Sequence, residues 1–150
     1  MPSRQNSISI GFAATQIEAR RAIVLTMAQL PDLGISQSRC SDIEIALAEV
    51  VNNVVEHAFD GLPDATGHIT CLIEADTLTI EVSDTGRPIP DNQLPTGSRA
   101  DLSVPMADLP EGGFGWFLIR QIATTVTYER TNGQNRLILE FRSEGKGEMP

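Results

Sequence analysis

Cysteine, basic side chains and long apolar runs are all scarce in this chain, and each scarcity removes a class of protein. Cys40 and Cys71 are the only two cysteines. They stand far apart, in a helix-like and a strand-like segment. They are therefore read as reduced packing residues, not as a disulfide scaffold or a thiolate metal site. Lys and Arg number 11 against 20 Asp and Glu, a formal net charge of −9 at pH 7. That balance disfavours general nucleic-acid binding, because phosphate backbones call for clustered cations. It also means that an anionic ligand would be held by a metal ion and backbone amides, without a basic patch. No apolar run approaches the roughly 20 residues of a membrane span. The N-terminus lacks the charged-then-apolar pattern of a secretion signal, so a cytoplasmic location is expected. No internal repeat or linker is visible. A hydrophobic content of 41% over 150 residues suits one domain with a single core, ordered over about 7–142.

What is present is concentrated in three places. The run Glu49-Val50-Val51-Asn52-Asn53-Val54-Val55-Glu56-His57 sets a polar stripe on an otherwise apolar helix. At about 100° per residue, Glu49, Asn53 and His57 drift little around the axis, and Glu56 falls on the same side. Ile43, Leu47, Val50, Val54 and Ala58 form the adjoining apolar face. Polar groups beside a buried face need partners, and a magnesium-nucleotide would supply them. The amide oxygen of Asn53 can ligate a hard cation, and the Glu49 carboxylate can take a proton from an attacking hydroxyl or water. The second place is Val82-Ser83-Asp84-Thr85-Gly86-Arg87-Pro88, a strand-like run that ends in an acid and a glycine. The third is Glu111-Gly112-Gly113-Phe114-Gly115-Trp116-Phe117, a glycine-rich loop opening an apolar helix, whose first N–H groups would face an anion.

In this order and spacing the three segments resemble Bergerat-fold (GHKL-type) ATPases, and most closely the bacterial anti-sigma-factor serine kinases. The resemblance covers roughly residues 7–142. It matches Glu49 and Asn53 to the N-box, Asp84 and Gly86 to the first glycine box, and Gly112, Gly113 and Gly115 to the second. It implies that Asn53 coordinates magnesium, that Glu49 is the general base and that Asp84 accepts a hydrogen bond from the adenine amino group of ATP. It further implies that the lid glycines wrap the phosphates, and that His57, Phe114 and Asn135 belong to the nucleotide site. His57, and the Asn135-to-Leu139 strand, are closer to the anti-sigma kinases than to sensor histidine kinases. Pro88 departs from the family pattern, which often has a second glycine there, and stiffens the loop after Asp84. For His57 a simple hydrogen bond to a neighbouring loop stays open as the alternative. Trp116 and Phe117 are read as packing residues, and Arg20 and Arg21 as a solvated face.

Ser7 to Phe12 alternates as a strand, and Thr15-Gln16-Ile17-Glu18 reads as a capping box for a helix to about Leu30. Ser36 or Ser38 caps a second helix reaching about Phe59. Strands over 68–75 and 77–83 form a hairpin around Asp76. Residues 86–111, with Pro88, Pro90, Pro95, Pro105 and Pro110, read as a functional loop, of which 91–111 would order over bound nucleotide. A third helix over 114–124 precedes a hairpin, 126–131 and 136–142, around Asn132-Gly133. The tail from Ser143 is polar. The sum is an α+β two-layer sandwich, three helices on one face of a mostly antiparallel sheet.

Three functions fit. One is an anti-sigma factor that is also a protein serine/threonine kinase, binding a sigma factor and phosphorylating a STAS-type antagonist. For this class the resemblance implies pairing as a homodimer. The second is a nucleotide-binding switch that sequesters a partner without transferring phosphate. The third, a detached histidine-kinase ATPase domain, is opposed by the absence of a dimerisation hairpin with a phosphorylatable histidine.

Overall fold

The computed structural model of the protein describes residues 7–90, 94 and 113–142. β1 spans Ser7–Ala13 and α1 Gln16–Gln29, and α2 follows at Gln37–Asn53. β2 covers Thr66–Glu74 and β3 Thr77–Asp84; α3, Gly113–Ile122, leads to β4 at Thr125–Thr131 and β5 at Gln134–Arg142. Apart from Leu94, the segment 91–111 read as a lid lies outside the described residues, as does the tail from Ser143.

The local signals act as their chemistry demands. Thr15 caps α1, its Oγ1 accepting from the Glu18 N–H at 3.1 Å. The return half of the capping box does not form: the Thr15 N–H donates to the Ala13 carbonyl at 2.8 Å, and the Glu18 carboxylate pairs with Arg21 at 3.1 Å. Ser36, not Ser38, caps α2 by accepting from the Arg39 N–H at 3.3 Å. In the β4–β5 turn Asn132 and Gly133 both have positive φ, 52° and 78°. Two such residues in succession make the hairpin turn that matches strand twist, which is why Asn-Gly stands there.

The five strands form one antiparallel sheet in the order β1-β2-β3-β5-β4. Register aligns the inward side chains in rows that cross all five strands. One row runs Ile8, Cys71, Ile80, Leu139, Val126, and the next Ile10, Ile69, Val82, Leu137, Tyr128. The last row, at one end of the sheet, runs Phe12, Gly67, Asp84, Asn135, Arg130. The first two rows are almost wholly apolar and lie under the helices. Ile43, Leu47 and Val50 of α2, Ala22 of α1 and Ile119 of α3 are each no more than 1% exposed against them. The Cys71 thiol is buried there and pushed up to about 12 by desolvation. Both cysteines are free, as their positions suggested. The third row turns polar while remaining under the same layer, and that change of chemistry places the site.

Gly67 is where the polar row meets the core. A methyl group on it would lie 2.3 Å from Cζ of Phe12, whose ring covers the glycine. Gly67→Ala should therefore expel the ring and destabilise the protein by about 1–3 kcal/mol, the usual cost of overpacking. Urea denaturation checks this, and adding Phe12→Leu should restore part of the loss.

Candidate functional site

The second helix does not simply run on to Phe59. After Asn53 the backbone widens into a single π turn, Val54–Ala58, in which the Phe59 N–H donates to the Val54 carbonyl at 2.9 Å. Such turns insert a residue into the helical register and are frequent at functional sites. The even polar stripe expected from 3.6-residue periodicity is broken here. His57 and Glu56 are both exposed, yet only His57 borders the cavity described next.

That cavity, about 430 Å³, lies over the polar end of the sheet. Val50, Asn53, Val54, His57, Ala58 and Asp60 wall it on the helix side, and Val82, Asp84, Tyr128, Asn135 and Leu137 on the sheet side. The stretch Arg87-Pro88-Ile89-Pro90 and Trp116 of α3 complete it. Trp116 is thus both a packing residue, 5% exposed, and part of the cavity wall. The size falls within the range of small-molecule sites.

Asn53, His57, Asp84 and Asn135 are brought together around this one space. The other predicted residues have different neighbours. Glu49, half-buried one turn before Asn53, does not border the cavity; its carboxylate lies against the first turn of α3, where a methyl on Gly115 would be 2.4 Å from Oε1. Gly86 touches the end of the π turn, and a methyl there would meet the Ala58 carbonyl oxygen at 2.2 Å. Its lack of a side chain serves backbone packing. Gly113 and Phe114 open α3, while Gly112 and the side chain of Phe114 lie outside the described residues.

Asp84 is 4% exposed, and its Oδ1 accepts from the Gly86 N–H and from Asn135 Nδ2, both at 2.8 Å. Burial pushes its carboxyl above the ordinary value, opposed by those two bonds and by the charge of Arg130. With Oδ1 engaged, Oδ2 is the acceptor left for a ligand amino group. Asn135 differs from the expectation of a ligand contact, because its amide is fully occupied within the protein. Nδ2 donates to Asp84 and, at 2.7 Å, to the Arg87 carbonyl. Oδ1 accepts from Tyr128 OH at 2.6 Å and from Arg130 Nη1 at 3.0 Å. Four bonds exhaust a carboxamide.

Asn53 shows the reverse. Its Nδ2 is buried and, among the described residues, has no hydrogen-bond partner. An amide so placed at the cavity wall suits a ligand that offers acceptors, and its carbonyl oxygen is of the kind that ligates a hard cation. Among the described residues no three His, Cys, Asp or Glu side chains gather to hold a metal by themselves. Magnesium carried in by phosphates needs only such a sparse protein contribution, so the donor set fits a nucleotide-borne ion.

Sequence reading missed Tyr128, Arg130 and Arg87. The alternation Val126-Tyr128-Arg130, folded back at Asn132-Gly133, was the available signal: it sets Arg130 opposite Asn135.

The fold and this cavity define an α+β domain with one ligand-sized site, and comparison with known proteins gives the family. Residues 12–141 match the histidine kinase-like ATPase domain, and the chain belongs to that family. The resemblance drawn from the three motifs is borne out at that level. The chain is similar to the serine-protein kinase RsbW of Halalkalibacterium halodurans, 34% identical over 102 residues, 67% of this chain and 62% of the relative. The matched part is thus less than two thirds of that relative's length. Similarity to RsbW of Bacillus cereus is 29% over 79% of this chain and 75% of the relative, and to RsbW of Listeria monocytogenes 26% over 96% and 85%. Among solved structures, the RsbU and RsbW domains of Rv1364c from Mycobacterium tuberculosis superpose with a TM-score of 0.62 at 18% identity. That match covers 92% of this chain and 32% of the other, and shows a shared fold. No helix among the described residues is long and apolar enough to cross a membrane.

Asp84 yields a prediction with opposite signs for binding and stability. Because its folded value is raised, the folded state holds the proton more tightly than the unfolded one. Stability is therefore lost as pH rises from the ordinary carboxylate value through the raised one. Asp84→Asn keeps the Oδ1 acceptor and removes the buried charge, so the free protein should be at least as stable at neutral pH. Loss of a charged hydrogen bond, about 1.5–3 kcal/mol, should weaken ATP and ADP alike by roughly 10- to 100-fold. Thermal melts across pH and calorimetric titrations check the two halves.

Proposed function

We propose that the protein is an ATP-dependent serine/threonine kinase and anti-sigma factor, which binds a sigma factor and phosphorylates a STAS-type antagonist. The observation that carries the reading is the pairing of a buried acceptor, Asp84, with an orphaned amide, Asn53, across one cavity in a histidine kinase-like ATPase domain. The names of the relatives, serine-protein kinases, support serine or threonine as the acceptor. The reading includes a homodimer working in the cytoplasm.

In this scheme Asp84 takes the adenine amino group, the apolar walls at Val50, Val82 and Leu137 cover the ring, and Trp116 closes one side. His57, exposed at the rim, contacts the sugar-phosphate part. The phosphates run toward Asn53 and the first turn of α3, whose free N–H groups favour anions. Asn53 would hold the magnesium ion, which when bound neutralises charge on the phosphates. Glu49, one turn before Asn53 on α2 and beside Gly115, receives the proton of the substrate hydroxyl. The serine oxygen forms its bond to the γ-phosphorus as the bond to the bridging oxygen of ADP breaks.

The kinase reading separates from a passive nucleotide switch at Glu49. Glu49→Gln should still bind ATP, while phosphate transfer to the antagonist serine falls by roughly 10²- to 10⁴-fold. Radiolabelled ATP with the purified antagonist decides it: an unlabelled antagonist in the wild-type lane would sink the kinase reading. Asn53→Ala should abolish magnesium-dependent ATP binding with the apolar face of α2 untouched, and unchanged calorimetric affinity would remove Asn53 from the site.

A further inference from the structure

We infer that Tyr128 and Arg130 are positioning residues for nucleotide-base recognition, acting through Asn135 on Asp84 and on the stretch 86–90; this rests on the nucleotide reading above. Both side chains come from the edge strand β4; the Tyr128 ring packs against the core, and its hydroxyl reaches past it to the polar end of the sheet. Arg130 and Asn135 are opposite one another in register, and Asn135 is opposite Asp84. The three form a line directed at the acceptor. Arg130 Nη1 donates to the Gly86 carbonyl at 2.7 Å as well as to Asn135 Oδ1. Tyr128 OH donates to the same Oδ1 and accepts from the Ile89 N–H at 3.1 Å.

These bonds do two things. By filling both lone pairs of Oδ1 they fix which way the Asn135 amide points, so that Nδ2 must face Asp84 and the Arg87 carbonyl. A reversed amide would present its oxygen to the Asp84 carboxylate and the Arg87 carbonyl and its NH₂ group to the Arg130 guanidinium, leaving only the Tyr128 hydroxyl able to accept from it. They also fasten the loop at Gly86 and Ile89, on either side of Arg87 and Pro88. Asp84 Oδ1 is then held in place, and its other oxygen is aimed by consequence. A network in which every member is satisfied is rigid, and a rigid acceptor recognises a base more sharply than a mobile one.

Arg130 has a second effect through charge. The ionisable groups around Asp84 are Arg130 and Tyr128 on β4, Arg87 in its own loop, His57 in the π turn and Asp60 just after it. Of these, the charge of Arg130 favours the ionised carboxylate. The adenine amino group needs an unprotonated acceptor, so binding fails as pH falls through the Asp84 titration. Removing Arg130 lets the carboxyl rise further, and the acid limit of binding moves to higher pH.

The test is calorimetric titration of MgADP between pH 5 and 8 into wild type, Tyr128→Phe, Arg130→Met and Arg130→Lys, with folding followed by circular dichroism. Titration of the ADP phosphates is common to all four proteins, so differences report the protein. Arg130→Met should weaken MgADP about tenfold at neutral pH, the loss of one to two hydrogen bonds, and shift the acid limit upward. Arg130→Lys should bring the acid limit back while recovering only part of the affinity. Tyr128→Phe should weaken binding severalfold with no shift of that limit. A purely structural role for Arg130 would lower stability without moving the acid limit, and that result overturns the proposal. Wild-type binding with all variants within twofold overturns it alone, and failure of wild type to bind overturns it together with the nucleotide reading. Should Arg130→Met not fold, unchanged affinity in the other two variants is equally decisive against it.

Discussion

The site depends on one backbone contact, the approach of Gly86 and Arg87 to the carbonyl of Ala58. The Arg87 N–H donates to that oxygen at 2.7 Å, and Gly86 lies too close to it for any side chain. This bond ties the strand that carries Asp84 to the helix that carries Asn53, at the one end of the sheet where the inward face is polar. Ala58 ends the π turn, and the last carbonyls of a helical segment have no partner within it, so its oxygen is available to the loop. Arg87 secures the same junction from its other end, its Nε donating to the Asp60 carbonyl at 2.8 Å.

Polar groups at that end divide sharply by how well the protein itself satisfies them. Asn135 has all its capacity used, Asp84 has one oxygen engaged twice, and Asn53 has a buried nitrogen with no partner among the described residues. Leaving a buried donor unpaired costs about 1–3 kcal/mol, so such a group is retained where a ligand repays it. The gradient runs from frame to ligand. Asn135, Tyr128 and Arg130 make the frame, Asp84 straddles it, and Asn53 faces the space. Functional sites are where folded chains tolerate such local conflict.

Fold alone does not settle chemistry, since one architecture serves many functions. A structural neighbour at 18% identity accordingly fixes the arrangement of layers and nothing about phosphate transfer. The functional reading rests on individual side chains. Asp84 and Asn53 speak for nucleotide binding, and both would serve a passive switch as well. In the proposed kinase reading Glu49 is the distinguishing residue; it lies against Gly115 at the start of α3, where a glycine leaves room for the carboxylate.

The elements and their approximate limits were legible in the chain, and so were the three motif segments. Caps at Thr15 and Ser36, alternation in the strands and the Asn132-Gly133 turn are contacts between residues close in sequence, and local backbone chemistry decides them. Asn53 and Asp84 could be picked out for the same reason, a polar residue at a fixed place in a local pattern. Glu49 and Gly115 could each be named, but the contact between them could not. The break in the polar stripe after Asn53 was also hidden, because a π turn is favoured by what packs around it and not by the five residues that form it. Asn135 looked like a ligand contact, and only the strand order, with β5 between β3 and β4, turned its amide into a brace for Asp84. Tyr128 and Arg130 carried no motif at all. Their pairing with Asn135 crosses a single hairpin, but the bonds to Gly86 and Ile89 span 44 and 39 residues, where each partner is set by the packing of the whole sheet, and that is information only the tertiary structure holds.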